Sequence, residues 1–462
     1  MVTDPIQRQR SQDHESELDL DAHESLLRLA ALPPSIAAPY LTVCLDWRPD
    51  GADPGRTTAD QPRPSERRSR VDDAGASRRP SRHLFEREAT ALPAEHGPRG
   101  DAFDSLSTDI DRISDYLDAE LDPSSQGVFI VACSYLGIFE PLALGLPLST
   151  QFTTGPIPAL AALARLAQDY PVFATLLADQ HDATLSIISQ ATRDHSVTIE
   201  SSDYPRKQKQ GGWSQQRFQA RAGERVAAFA RGIADATLFA LDEMGVDQLV
   251  IAGDEVITSA LDAVFHQRVK DRIVGTLRLD IGTSDQDLIA ATLPLIEQGE
   301  RDREAAAVET LTGAIGAGGL GVGGVGSTLT ALQSGQASTL VVGDDFAGWG
   351  WADYEHHAFG AGDVPAEHPL GGDVNAIVPV RIDEELIRLA LQTGADVVFV
   401  HSAVPVGTAD EAAIPDVGSD QPRTDAAAAL DALGGVGAIL RFTFDGEHPT
   451  ADQAATPVTN SA

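Results

Sequence analysis

The chain has 462 residues, 42% of them hydrophobic, which suits two or three packed cores better than one ordinary domain. Asp and Glu total 69 against 34 Lys and Arg, a formal net charge of −35, so overall attraction cannot hold the chain on nucleic acid and any RNA contact needs a local basic patch. Cys44 and Cys133 are too few for a disulfide framework or a thiolate zinc site, no window offers the ~18 apolar residues of a membrane span, and the acidic N-terminus has no apolar signal core, which together predict a reduced, cytoplasmic setting.

Taken in order, residues 1–22 read as a disordered acidic tail, and an N-terminal α/β domain is expected over 23–151. The apolar run Ser25–Leu32 is helical and stopped by Pro33 and Pro34. Tyr40–Leu45 alternates as a strand, with Leu41, Val43 and Leu45 on one face. From about 50 to 99 the chain is rich in Arg, Pro, Asp, Ser and Gly; it reads as a solvated insertion with a helix near Ser81–Leu92. Ile110, Ile113, Leu117 and Leu121 recur at helical spacing, and Gly127–Cys133 is a buried strand.

A central domain is expected over 156–284. It opens with a helix at Pro158–Gln168 and a hairpin in which Phe173–Ala178 and Ala183–Ile188 flank the turn Asp179–Asp182. The polar, aperiodic stretch Tyr204–Phe218 reads as an exposed loop. A long helix follows, with Phe218, Ala222, Val226, Phe229 and Ile233 on one face and Arg217, Arg221 and Arg225 beside it. Gln248–Ala252 is a further strand.

A third domain is expected over 285–446. Its acidic helix Leu295–Leu311 has Pro294 just ahead. The run Gly313–Gly326 lacks the Gly-Lys-Ser/Thr ending of a P-loop and follows a helix instead of a strand, so it reads as a flexible interdomain turn. Next come strand Thr339–Val342, a loop Trp349–Pro369, helix Asp383–Thr393 closed by Gly394, and strands Asp396–Val400 and Gly437–Phe444. His356, His357 and His368 lie in that loop near Asp353 and Glu355, at a spacing that matches no ligand pattern, so neither a metal nor a cofactor is expected. Residues 447–462 read as a disordered tail.

The densest signal is Arg206-Lys207-Gln208-Lys209-Gln210-Gly211-Gly212-Trp213-Ser214-Gln215-Gln216-Arg217-Phe218. Two of the chain's three lysines sit here, with Arg206, Arg217 and Arg221 around them, and no acidic residue intervenes. In so acidic a chain this implies an anionic partner, with RNA phosphate the natural candidate. Gly211 and Gly212 permit positive φ and close backbone approach, and the amides of Gln210, Gln215 and Gln216 can orient a water without adding charge. Composition alone leaves a plain solvated turn before an amphipathic helix equally open.

The run GGWSQQRF with its Arg-rich helix resembles the GGQ loop of archaeal and eukaryotic class-1 release factors, where Gly-Gly-Gln-Ser is followed three residues on by Arg-Phe. Gly211, Gly212, Ser214, Arg217 and Phe218 match position by position. The preceding KQGG resembles the loop of the peptidyl-tRNA hydrolase of ribosome quality control, in which the glutamine comes later, making Gln215 its counterpart. Downstream, ELIRLALQTGADVVFV and LGGVGAILRF are similar to the last domain of Pelota and of these release factors. Bacterial and archaeal release-factor-like proteins, Balon-type hibernation factors among them, are the nearest group by this resemblance.

The resemblance implies three consecutive α/β domains, the second carrying an exposed GG loop and the third resembling the last domain of Pelota. It implies the ribosome, ribosomal RNA and the acceptor end of tRNA as partners, and a translational GTPase by analogy with Pelota. Gly211, Gly212 and Gln215 would be catalytic for peptidyl-tRNA hydrolysis; Arg206, Lys207, Lys209, Trp213, Gln216, Arg217 and Arg221 would bind RNA. Trp213 stands where the family glutamine belongs, so a hibernation factor that fills a vacant acceptor site is the alternative. No Asn-Ile-Lys-Ser stop-codon motif and no zinc-binding cysteines of the archaeal kind are present. The acidic, lysine-poor composition further predicts a protein adapted to concentrated salt, where self-repulsion is screened.

Overall fold

A computed structural model describes residues 22–48, 79–188, 195–200, 215–402 and 424–443. The expected tails, most of the insertion that begins near 50, and residues 201–214 lie outside the described residues.

The N-terminal part contains α1 (Ala22–Ala30), β1 (Tyr40–Asp46), α2 (Pro80–Glu95), α3 (Asp101–Asp115), β2 (Gly127–Cys133), β3 (Ile138–Leu144) and β4 (Gln151–Gly155). The four strands form an antiparallel sheet in the order β3-β2-β1-β4. Every residue of β1 is buried, because both faces of the strand are covered. Leu41, Val43 and Leu45 pack with Val128 and Ile130 against Phe85, Leu106 and Ile113 of α2 and α3. Tyr40 and Cys44 face the other way, where Leu26 and Leu29 of α1 join them. The alternation in the sequence identified one apolar face, and Tyr40 and Cys44 supply the second. The helix expected inside the insertion is therefore core: Leu84, Phe85 and Ala89 are buried, and Arg82 reaches Asp118 at 2.8 Å.

The central part follows as α4 (Ala161–Asp169), β5 (Phe173–Ala178), β6 (Asp182–Ile188), β7 (His195–Glu200), α5 (Gln215–Glu243), β8 (Leu249–Gly253), α6 (Glu255–Val264), α7 (Gln267–Lys270), β9 (Ile273–Leu277) and α8 (Asp285–Gly316). Its sheet runs β7-β6-β5-β8-β9, antiparallel on the hairpin side and parallel from β5 through β8 to β9. The period-2 pattern sorts the faces. Ala174, Leu176, Leu249 and Ile251 meet Ala230, Ile233, Ile257 and Leu261 of α5 and α6. Phe173 and Val250 meet Ile296 of α8 on the opposite side, and Leu177 and Ala252 meet Leu288. Gly253, at φ +152°, lies opposite Ala178, whose carbonyl oxygen occupies the space a Cβ would need.

The expected acidic helix is longer than the sequence suggested: α8 spans 32 residues, and Pro294 lies inside it instead of at its start. The glycine-rich run is also more ordered than a turn. Its first residues complete α8, Ala317–Leu320 make a turn, and β10 (Gly321–Gly323) and the start of α9 (Val325–Gln333) follow. The remaining elements are β11 (Ala337–Gly343), β12 (Trp349–Asp353), β13 (Ala358–Ala361), β14 (Val378–Arg381), α10 (Ile382–Gln392), β15 (Asp396–Val400), α11 (Asp425–Asp431) and β16 (Val436–Leu440). One sheet has the order β10-β16-β11-β15, with β11 and β15 parallel; a second, antiparallel sheet has the order β13-β12-β14. The expected loop Trp349–Pro369 is thus largely a hairpin. Gly394, at φ +65°, closes the turn after α10, as the sequence predicted.

The described chain is α/β throughout and forms two compact units, Asp169–Asp302 and a second that joins Asp21–Gln168 to the part from Arg303 onward. The second unit has a discontinuous core: Leu26, Leu29, Phe129 and Leu160 share one cluster with Leu340, Ile382, Leu386 and Phe399. Gln392 seals that junction by donating to the carbonyl of Ala30 at 2.7 Å.

Candidate functional site

The segment with the basic cluster lies between β7 and α5. β7 is the edge strand, and its last residue, Glu200, pairs with Asp182 beside the β5–β6 turn. Arg206, Lys207, Lys209, Gly211, Gly212 and Trp213 are outside the described residues. Gln215, Gln216, Arg217 and Arg221 form the backbone of the first two turns of α5, so the helix starts three residues before the loop end expected at Phe218. Their side chains are outside the description as well. The helix they open has 29 residues, about 44 Å at 1.5 Å per residue, and is anchored further along by Ala230, Ile233, Ala234 and Leu241. Arg206 to Arg221 thus occupies the connection from a sheet edge to the start of a firmly packed helix.

A second constellation, centred on a residue the sequence reading treated as a mere neighbour, lies in the small sheet. Asp353 ends β12 and is buried. Its Oδ1 accepts the backbone N–H groups of Glu355 and His356 at 2.9 and 3.2 Å, which turns the chain toward β13; His357 sits in that turn at φ +51°. The Oδ2 lies 2.8 Å from Nδ1 of His356 and 2.8 Å from Nε2 of His368. His368 is buried, and its Nδ1 accepts the Leu370 N–H at 3.1 Å, so the proton of the neutral ring sits on Nε2 and points at Asp353. The two imidazoles meet edge to face, with centroids 5.6 Å apart. Burial pushes the Asp353 carboxyl upward, but the hydrogen bonds from both rings and both backbone groups outweigh it and hold the acid well below the usual carboxylate range. Of the three histidines singled out in the sequence, His356 and His368 join this cluster and His357 does not.

The same hairpin is fixed to α10 by buried polar groups. Tyr354 donates its hydroxyl to Glu385 at 3.2 Å, Arg388 donates Nε to Glu385 at 3.0 Å, and the Arg388 guanidinium stands 5.6 Å from the centre of the Tyr354 ring. The neighbouring Glu384 turns the other way along the helix. One of its oxygens accepts the N–H groups of Leu160 and Ala161 at 2.6 and 2.9 Å, capping the start of α4. Burial pushes Glu384 up to about 7; the two N–H bonds and Arg381 pull it down, and Asp383 adds to the rise. No helix among the described residues is long and apolar enough to cross a membrane.

Residues 158–297 match the family described as Bacterial archaeo-eukaryotic release factor family 10. The match takes in the whole five-stranded sheet, the basic segment and α5. No curated protein matches the chain. Among solved structures, the archaeal translation termination factor aRF1 is similar at 16% identity over 91% of this chain and 98% of that chain, with a TM-score of 0.21. Archaeoglobus fulgidus Pelota gives 14% identity over 69% and 80%, with a TM-score of 0.28. Dom34 of S. cerevisiae, a translation termination-like factor that interacts with Hbs1, gives 9% identity over 69% and 81%, with a TM-score of 0.34. These superpositions stay below a TM-score of 0.5, and the match to the release-factor family is confined to residues 158–297.

Proposed function

We propose that this chain, whose central segment is of release-factor type, works in the cytoplasm on the ribosome and brings Gly211–Gly212 to the acceptor end of tRNA to release a stranded peptide. The observation that carries the reading is the position of the basic segment: it lies within residues 158–297, the stretch that matches the release-factor family, in a chain whose net charge is −35. Arg206, Lys207, Lys209, Arg217 and Arg221 would hold RNA phosphates, with Gln216 adding a neutral contact.

The reaction would be hydrolysis of the ester between the peptide carbonyl and the terminal ribose. Water adds to the carbonyl carbon, the ester C–O bond breaks, and the ribose oxygen takes the proton. The segment Arg206–Phe218 has no Asp, Glu, His or Cys, so it brings no side-chain base or nucleophile of its own. The chain's part would be positional: the Gln215 amide orients the water, and a backbone N–H of Gly212 or Trp213 faces the developing oxyanion. Groups of the ribosome and the tRNA complete the site. A translational GTPase that delivers the chain also belongs to this proposal and rests on the sequence resemblance to Pelota alone.

Trp213 favours a second reading. An indole in place of the glutamine amide stacks on a base with about 1–3 kcal/mol and positions no water, which suits a protein that fills the acceptor site of an idle ribosome. Labelled peptidyl-tRNA on ribosomes separates the two. Release that Gly212→Ala abolishes supports the hydrolase; tight binding to vacant ribosomes without release supports occupancy; failure to co-sediment with ribosomes or subunits at high salt overturns both.

A further inference from the structure

We propose that Asp353, His356 and His368 form a binding site for one divalent first-row transition ion, with Zn²⁺ the best-suited candidate. Their ligand atoms, one carboxylate oxygen and two imidazole nitrogens, all lie within 4.8 Å of one another. Two neutral rings and a carboxylate are the donor set that borderline ions of this kind take, at about 2.0–2.2 Å per ligand.

Three features distinguish the cluster from a chance surface grouping. First, the ligands arrive from different pieces of the small sheet: Asp353 from the end of β12, His356 from the β12–β13 turn, and His368 from the stretch between β13 and β14. Second, Asp353 is buried, takes four hydrogen bonds and has no Lys or Arg ion-pair partner among the described residues, so no fixed positive charge stands beside the buried carboxylate. A divalent cation would supply the missing positive charge. Third, a Cβ on Gly372 would approach the His368 ring to 3.2 Å, so the absence of a side chain there leaves the imidazole its place.

The existing hydrogen bonds define what must change on binding. The pairs at 2.8 Å have to open to roughly 3.3 Å around a tetrahedral ion. The His368 proton moves from Nε2 to Nδ1, so the Leu370 N–H gives up its bond to that nitrogen. The His356 proton moves to Nε2, and that side chain is 47% exposed, so it meets water there. A water would complete the coordination on this open side. Bound there, the ion ties the hairpin to the segment before β14, independent of the proposed ribosomal activity.

The test is isothermal titration of chelator-treated full-length protein with Zn²⁺, alongside Co²⁺ absorption. One equivalent should bind, with Co²⁺ bands of tetrahedral intensity, and His356→Gln should weaken binding by more than about tenfold. His356 is the exposed ligand, so this variant folds without a buried defect; His357→Gln, its neighbour outside the cluster, should bind like the parent. The Leu370 amide resonance should shift on Zn²⁺ addition to the parent and stay put in His356→Gln. No binding, or equal binding by the parent and His356→Gln, overturns the proposal.

Discussion

Glu384→Gln tests the electrostatics of the core that joins the first and last parts of the chain. Glu384 is 5% exposed and caps α4 through one oxygen, which a glutamine carbonyl can replace. Its carboxyl is raised from the ordinary 4.5 to about 7, chiefly by burial. A raised folded value means that the folded chain holds the proton where the unfolded chain has released it. The stabilising contribution is therefore complete below pH 4.5, falls between 4.5 and 7, and is gone above 7. At 1.36 kcal/mol per unit, the interval amounts to about 3 kcal/mol in this almost fully buried group. Glutamine does not titrate, so the stability of Glu384→Gln relative to the parent should rise by about 3 kcal/mol between pH 4.5 and 8. Urea denaturation of both proteins across that range measures the difference, and titrations elsewhere in the chain cancel. Any cost of burying the new amide group is independent of pH and shifts the whole curve without changing its slope. A difference that stays level across the range refutes the reasoning.

Three further outcomes are expected. Glu385→Ala leaves the buried Arg388 guanidinium without its carboxylate and should lower stability by about 3–5 kcal/mol in denaturation, while Glu385→Leu combined with Arg388→Met should recover much of that loss. Gly253→Ala drives a methyl into the carbonyl oxygen of Ala178 at φ +152°; hydrogen exchange should show amides of the unit Asp169–Asp302 losing at least about 2 kcal/mol of protection, with amides of the other unit unchanged. Raising KCl from about 0.1 M to about 1 M shortens the Debye length from about 10 to 3 Å and should raise the melting temperature of a chain with net charge −35; a flat or falling response sinks the reading of salt adaptation.

The elements legible in the sequence are those whose signal is local. Gly127–Cys133 is an uninterrupted apolar run and Asp396–Val400 is one after its first residue, and they appear as β2 and β15 with the same ends. The Asp179–Asp182 turn is fixed by Asp179, whose Oδ1 accepts the N–H groups of His181 and Asp182 at 2.6 and 2.7 Å. A strand with no apolar run of its own is not legible, however it is paired. β10 holds only Gly321, Val322 and Gly323, with no alternation to detect, and exists because it pairs with β16 more than a hundred residues later. Pro294 reads as a helix start in isolation, yet α8 passes through it, held by Leu288 and Leu293 before it and Ile296 after it against the central sheet. Packing overrode the local break.

The same distinction separates the two candidate sites. The glycine pair with its basic neighbours is one contiguous run, so spacing alone exposes it, and the topology adds only that β7 and α5 flank it. The cluster at Asp353 is composite. Its third member lies 15 residues from the carboxylate, beyond a whole strand, and that interval carries no ligand spacing. The sequence shows His356, His357 and His368 near Asp353 but not which of them meet it: the turn places His357 at φ +51° and, of the adjacent pair, leaves only His356 on the carboxylate. What assembles the site is Asp353 itself, since its Oδ1 makes the turn that brings His356 round and its Oδ2 receives His368. An aspartate that first shapes a hairpin and then gathers two imidazoles is a folding element and a potential ligand at once, so removing it would disturb both roles. The exposed His356 is the position at which the two roles can be separated by experiment.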